Sequence, residues 1–209
     1  MNEMVAAIVL AAGESKRMGS PKALLPFSGK TLIRGVVDLL TAGGLSPIVV
    51  VLGAHAELIR HEVAGLNVRV TTNHGYRAGQ LSSLQKGLEV VGESSATGVL
   101  VHPVDHPAVK TETVRAILKC FAAGHAPVVV PTYNGRRGHP VIFSAKLFDE
   151  LMNAPVEIGA RAVVWRHAED IVEVATDDCA IIQNIDTPKD YSFLLSMGNL
   201  TEIADTTAN

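Results

Sequence analysis

Val5-Ala6-Ala7-Ile8-Val9-Leu10-Ala11-Ala12-Gly13-Glu14-Ser15-Lys16-Arg17-Met18-Gly19-Ser20-Pro21-Lys22 decides how the rest of the chain is read. The first half is short, aliphatic and uncharged, the pattern of a strand covered on both faces. The second half is a glycine-bearing loop with three cations, Lys16, Arg17 and Lys22. Ala11, Ala12 and Gly13 carry almost no side-chain bulk, so a ligand can lie against the backbone and take hydrogen bonds from successive N–H groups. Backbone donors and flexible cations at one strand end suit a triphosphate, because together they neutralise several of its oxygens. A solvated basic turn is the competing reading. The segment is not followed by Lys-Ser or Lys-Thr, and it contains no G-x-G-x-x-G, so neither of two common phosphate-loop signatures applies.

Apolar segments of two kinds alternate after the loop. Thr31 to Thr41 carries Leu32, Ile33, Val36, Val37, Leu39 and Leu40 at helical spacing, with Gly43-Gly44 as the stop. Strands are expected at Pro47 to Leu52, Val68 to Thr72, Gly98 to Val101 and Pro127 to Pro131. Helices are expected at 54–63, 82–91 and 111–123. This alternation implies βαβ units and a single-domain α/β fold: a mostly parallel, Rossmann-like sheet flanked by helices. The second half departs from the rhythm. A polar loop, Asn134 to His139, leads to a short strand at Pro140 to Phe143, helices at 145–152 and 160–166, a strand near 171–174, and a last helix opening at Thr187-Pro188. Residues 1–197 read as one domain and 198–209, small and polar, as a flexible tail.

Composition sets limits. In 209 residues, 47% hydrophobic with 19% charged argues for a packed core, and 4% aromatic means that aliphatic side chains must fill it. A net charge of −3 gives no basis for a nucleic-acid surface or an anionic membrane. Met4 to Ala12 is too short to span a bilayer and is preceded by Glu3 instead of a cation. Cys120 and Cys179 lack metal or redox spacing, so the expected location is the cytoplasm.

Four further stretches carry chemistry. Asp105, in His102-Pro103-Val104-Asp105-His106-Pro107, follows a strand at the end where ligand sites gather in α/β sheets, and its carboxylate suits Mg²⁺ when phosphates supply the remaining oxygens. It equally suits a turn between prolines. His102 and His106 have no third ligand nearby in sequence, so neutral, hydrogen-bonding histidines are expected over zinc ligands. Asp186 precedes a helix start, where an acid is favoured by the helix dipole whatever its function. In Asn73 to Leu84, Ser82 with Gln85 fits a capping box. Gly135-Arg136-Arg137-Gly138-His139-Pro140 is a basic, glycine-flanked loop.

Leu-Ala-Ala-Gly-x-Ser-x-Arg-Met-Gly-x-x-Lys resembles the signature loop of nucleotidyltransferases that move a nucleoside monophosphate from a triphosphate to a phosphate or alcohol. The resemblance implies Arg17 on the outer phosphates, Lys22 at the α-phosphate, and Leu10, Ala11, Ala12 and Gly13 against base and ribose. It implies Asp105 and Asp186 as Mg²⁺ ligands, although Val104-Asp105-His106-Pro107 departs from the usual Gly-Asp-Gln-Pro. By the same likeness, Gly79 and Ser83, with Ser82 as alternative, read the pyrimidine edge, and Asn73 helps orient the nucleotide. The Gly-Arg-Arg-Gly-His-Pro loop and the Asp186-Thr187-Pro188 segment narrow the likeness to molybdenum cofactor cytidylyltransferases, placing Arg137, His139 and Arg161 on the acceptor side. The implied partners are CTP, a molybdopterin-type acceptor and a molybdoenzyme of the xanthine dehydrogenase type. The choice of CTP over GTP rests on Ala12, where related guanylyltransferases carry glycine. Transfer to a sugar or polyol phosphate, and a non-catalytic carrier of the cofactor, remain the alternatives.

Overall fold

A computed structural model describes residues 4–92, 94–124 and 126–206, with side chains described as far as 197. The central strand is β1 (Val5–Ala11), buried along its whole length. Ala6, Ile8 and Leu10 enter one core while Ala7, Val9 and Ala11 enter the other, so the strand serves two hydrophobic layers by period-two alternation. A small hairpin, β2 (Pro26–Phe27) and β3 (Lys30–Thr31), leads into α1 (Leu32–Ala42). Hydrogen bonds from Gly44 N–H to the Thr41 carbonyl and from Leu45 N–H to that of Leu40 close α1, as the Gly-Gly pair led us to expect.

The chain continues through β4 (Ile48–Leu52), α2 (Ala56–Glu62), β5 (Arg69–Thr72), α3 (Gln80–Val91), β6 (Gly98–Pro103) and α4 (Thr111–Gly124). Then come β7 (Val128–Tyr133), β8 (Arg136–Arg137), β9 (Val141–Ser144), α5 (Phe148–Met152), α6 (Arg161–Arg166), β10 (Ile171–Ala175) and α7 (Pro188–Thr206). The main sheet runs β10-β7-β9-β6-β1-β4-β5, with β8 paired to β7. The α/β class is as expected, and the sheet is mixed. β4, β1 and β6 are parallel neighbours, as are β4 with β5 and β7 with β10, whereas β9 lies antiparallel between β6 and β7. Buried residues of α1, α2 and α4, with Ile181 and Ile185, cover one face. Those of α3, α5 and α6 cover the other.

Two local expectations need correction. Residues 145–152 form a 3₁₀ turn, Ala145–Leu147, followed by α5, instead of one helix. The capping box at Ser82 does not form, because α3 already starts at Gln80, and the Gln85 amide donates to the carbonyls of Leu151 and Met152. The final helix continues through the segment read as a tail, its backbone helical to Thr206, while 207–209 lie outside the described residues.

The parallel strands β1, β4, β6 and β7 end on one edge of the sheet, and the loop before the antiparallel β9 returns to it. That edge carries the loop after β1, the Pro103–Asp105 turn and the Arg137–His139 loop.

Candidate active site

The loop after β1 is folded back by one side chain. The Ser15 hydroxyl accepts the Lys22 backbone N–H at 3.0 Å, and the Met18 N–H donates to the Ser15 carbonyl, which returns Lys22 toward the strand end. Glu14 takes up Lys16 at 2.6 Å and Arg77 at 3.3 Å, and its carboxyl lies below the usual range, first because of Lys16. Lys16 is therefore paired within the loop, and it lines the cleft together with Arg17 and Lys22.

The two acids arrive from elsewhere. Asp105 follows β6 directly. Asp186 is delivered by the segment after β10, and the hydrogen bonds of that segment explain the delivery. Asp178, only 3% exposed, accepts from Lys110 N–H, Thr113 Oγ1 and Ala180 N–H at 2.8, 2.8 and 3.1 Å, which fixes the start of the segment to the start of α4. The His139 N–H then donates to the Ile181 carbonyl, and the Ile185 N–H donates to the carbonyl of Asp105 itself, both at 2.9 Å. At the far end Thr187 and Asp190 cap α7 reciprocally, as Thr187-Pro188 suggested.

Asp186 therefore does not serve as the dipole partner of α7. Lys22 Nζ lies 2.5 Å from Asp186 Oδ1 and 3.6 Å from Asp105 Oδ2, and Arg17 reaches Asp186 Oδ2 at 3.0 Å. The Asn184 amide donates to the same Oδ2 at 2.8 Å. The Lys22 ammonium, followed by Arg17, holds the Asp186 carboxyl below the ordinary carboxylate range. A cleft of about 390 Å³ surrounds these groups, and Leu10, Ala11, Ala12, Gly13, Gly79 and Ser83 also line it. Gly53 sits against its wall so tightly that a Cβ there would lie 2.6 Å from the Ala12 carbonyl oxygen.

Asn73 and Ser82 point elsewhere. The buried Asn73 amide donates to the hydroxyls of Ser82 and Ser83 at 2.8 and 3.0 Å and accepts the Gly75 N–H, while Ser82 donates to the Gly79 carbonyl. These contacts shape the 73–83 connection from behind. Arg137 and His139 line a second cleft of about 500 Å³, with Arg161 and an apolar floor that includes Leu84, Val130 and Phe143. Arg137 is paired with Glu173 at 2.7 Å. Leu10 and Gln80 line both clefts, so the two are contiguous. The sequence reading passed over Gln80 and Tyr76, which also lines the first cleft. Their signal was position, since both fall within the Asn73 to Leu84 connection.

The histidines differ from expectation in one respect. His102 is fully buried, and burial followed by His106 and His139 lowers its pKa from 6.5 to about 3, so it is neutral. Neither of its ring nitrogens has a hydrogen-bond partner of normal geometry. His106 contacts the Ala180 carbonyl at 3.4 Å, and its ring lies 5.0 Å from that of His139, whose pKa burial lowers to about 4. Among the described residues, no group of three or more His, Cys, Asp or Glu side chains is spaced to hold a metal. No helix there is long and apolar enough to cross a membrane, and Cys120 and Cys179 are free thiols.

Residues 7–171 match the profile of the MobA-like NTP transferase domain. The chain belongs to the MobA-like NTP transferase family. As a member it is a nucleotidyltransferase, an enzyme that acts on a nucleoside triphosphate and an acceptor. It is 33% identical over 153 residues to nicotine blue oxidoreductase of Paenarthrobacter nicotinovorans, covering 68% of this chain and 72% of that one. It is 27% identical to the molybdenum cofactor guanylyltransferase of Shewanella baltica, over 90% of this chain and 94% of the relative. Identity to the Escherichia coli molybdenum cofactor cytidylyltransferase is 26%, over 94% and 97%. Among solved structures, a nucleotidyl transferase of Methanothermobacter superposes with a TM-score of 0.82 at 25% identity, covering 95% of this chain and 99% of that one. A Mycobacterium tuberculosis protein solved with manganese gives 0.74 at 28% identity, covering 92% and 98%. The MobA-like fold thus accounts for the mixed sheet and its helical layers.

Proposed function

We propose that this MobA-like transferase moves CMP from CTP to the terminal phosphate of molybdenum-loaded molybdopterin, releasing pyrophosphate. The observation that carries the reading is the convergence of Lys22, Arg17, Asp105 and Asp186 beside the loop after β1, in a cleft that opens directly into a second one. The first cleft takes the triphosphate, and the second takes the acceptor, with Arg137, His139 and Arg161 facing its anionic and ring portions. The cytidylyl preference is supported by Ala12 and by the Gly-Arg-Arg-Gly-His-Pro loop.

The donor set fits Mg²⁺. Asp105 and Asp186 are hard oxygen ligands held near one point by a shared ammonium, and two carboxylates leave positions for water and phosphate oxygens, the usual arrangement for this ion. The manganese complex of the Mycobacterium tuberculosis relative supports a divalent cation on this fold. When bound, the ion would neutralise charge on the triphosphate as the transferred phosphorus is attacked.

The protein's own residues do the rest by positioning and electrostatics. Arg17 and Lys22 draw the triphosphate along the loop, and the junction at Leu10 and Gln80 brings the acceptor phosphate within reach. An acceptor oxygen then bonds to the α-phosphorus as the bond to the β-phosphate oxygen breaks. No protein nucleophile is needed, because an ionised phosphate is already nucleophilic, and orientation can lower the barrier by several kcal/mol, up to ~10.

Incubating the protein with each labelled triphosphate, Mg²⁺ and molybdenum-loaded molybdopterin tests this. Label transfer from CTP is expected, and transfer from GTP alone would refute the cytidylyl assignment. Product with a sugar phosphate but none with molybdopterin would move the acceptor. The identity to nicotine blue oxidoreductase carries a second reading, which redox turnover with no triphosphate present would favour.

A further inference from the structure

We infer that Lys22 competes with the divalent cation for Asp105 and Asp186, so that the cation enters together with the triphosphate and not before it. The inference rests on the proposed role of the two aspartates as cation ligands. Lys22 Nζ lies 2.5 Å from Asp186 Oδ1 and 3.6 Å from Asp105 Oδ2, so one ammonium serves both carboxylates. A divalent ion bound by both carboxylates would need the space between them that the ammonium now fills. The ammonium and the ion therefore claim the same point, and their like charges prevent both from holding it.

Lys22 has little freedom to leave. Its side chain is 14% exposed, its backbone N–H is fixed to Ser15, and Asp186 is further fastened by Arg17 and Asn184. Turned away from both acids, the ammonium needs another anion within the cleft, since an unpaired, mostly buried charge is costly. The triphosphate supplies that anion. Lys22 passes from the acids to phosphate oxygens as the cation takes the acids, and neither exchange is favourable without the other. The cation alone is held weakly, which gives the reaction an order of assembly and guards the acids against adventitious metal.

Binding of Mn²⁺, followed by electron paramagnetic resonance without nucleotide, tests the exchange independently of turnover. Lys22→Met is expected to bind Mn²⁺ at least tenfold more tightly than wild type, and Lys22→Gln, a second neutral variant, should do the same. Arg17→Met removes one charge from the other oxygen of Asp186 and should give a smaller gain. An affinity in both Lys22 variants no higher than wild type would overturn the inference. So would an equal gain in Arg17→Met, because charge alone would then explain the effect. Adding Asp105→Asn or Asp186→Asn to Lys22→Met separates the underlying reading. Loss of Mn²⁺ binding there upholds the two acids as ligands even if the exchange fails, whereas unchanged binding removes both.

Discussion

Asp178 makes a quantitative prediction, because its carboxylate is buried and every partner is a donor. Replacing it with alanine leaves the Lys110 N–H, the Thr113 hydroxyl and the Ala180 N–H without their acceptor at a point 3% exposed, where water does not readily substitute. Each orphaned buried donor costs about 1–3 kcal/mol, and the start of α4 also loses an acid at its positive end. Removing a buried charge returns part of its desolvation cost, so the sum falls below the simple total. A net loss of about 4 kcal/mol is expected for Asp178→Ala. Asp178→Asn keeps one carbonyl oxygen for Lys110 and Thr113 but turns its NH₂ toward the Ala180 N–H, so about 2 kcal/mol is expected. Urea unfolding and melting curves of both variants measure this. For a chain of this length 1 kcal/mol moves Tm by roughly 2–4 °C, which places the alanine variant roughly 8–16 °C below wild type. An alanine variant within about 1 kcal/mol of wild type would refute the view that Asp178 anchors the segment carrying Asp186.

Other expectations follow from the same contacts. Gly138→Ala would put a Cβ 2.3 Å from the Ile181 carbonyl oxygen, backbone against side chain with no room to yield, so the Arg137–His139 loop should shift. Weaker acceptor binding with unchanged triphosphate binding, measured calorimetrically, is the expected signature. Asp105→Asn should lower kcat by a factor of about 10² or more while leaving Tm nearly unchanged, and an equal loss of stability and activity would assign Asp105 to the scaffold. The Asp186 carboxyl is depressed first by Lys22, so its contribution to stability is full above the ordinary carboxylate pKa of 3.8 and fades as the pH falls below it. In Lys22→Met, carbon NMR should show Asp186 titrating at higher pH than in wild type. His102 stays neutral in the fold down to about pH 3, whereas the unfolded chain takes up its proton near 6.5. Stability should therefore fall as the pH drops between these values. His102→Leu should flatten that slope in urea midpoints measured from pH 6.5 to 4, and an unchanged slope would contradict it.

The fold was largely legible because hydrophobic alternation in β1, β4 and β6 and helical spacing in α1 and α4 are strong signals of period. Strand direction was not. Val141-Ile142-Phe143 has the same apolar character as the parallel strands, and only its pairing with β6 and β7 shows that it runs the other way. The capping box at Ser82 failed because α3 begins two residues earlier, after Gly79, which puts Ser82 inside the first turn; the Gln85 amide donates across to the carbonyls of α5. At the site, charge and glycine content marked the loop to Lys22, and resemblance marked Asp105 and Asp186. Asn73 could not be separated from a ligand-facing residue by sequence, since inward and outward amides look alike until their partners are known. Gln80 and Tyr76 carried no chemical label at all.

The ion pair between Lys22 and Asp186 joins positions 164 residues apart. A nascent chain that has emerged through β7 already contains the loop after β1 and most of the sheet, yet it lacks Asp186, one of the two proposed cation ligands. Competence therefore arrives late in synthesis, with the seating of a short stretch near the carboxyl end. Fraying of that stretch alone would silence the enzyme while leaving the body of the sheet intact.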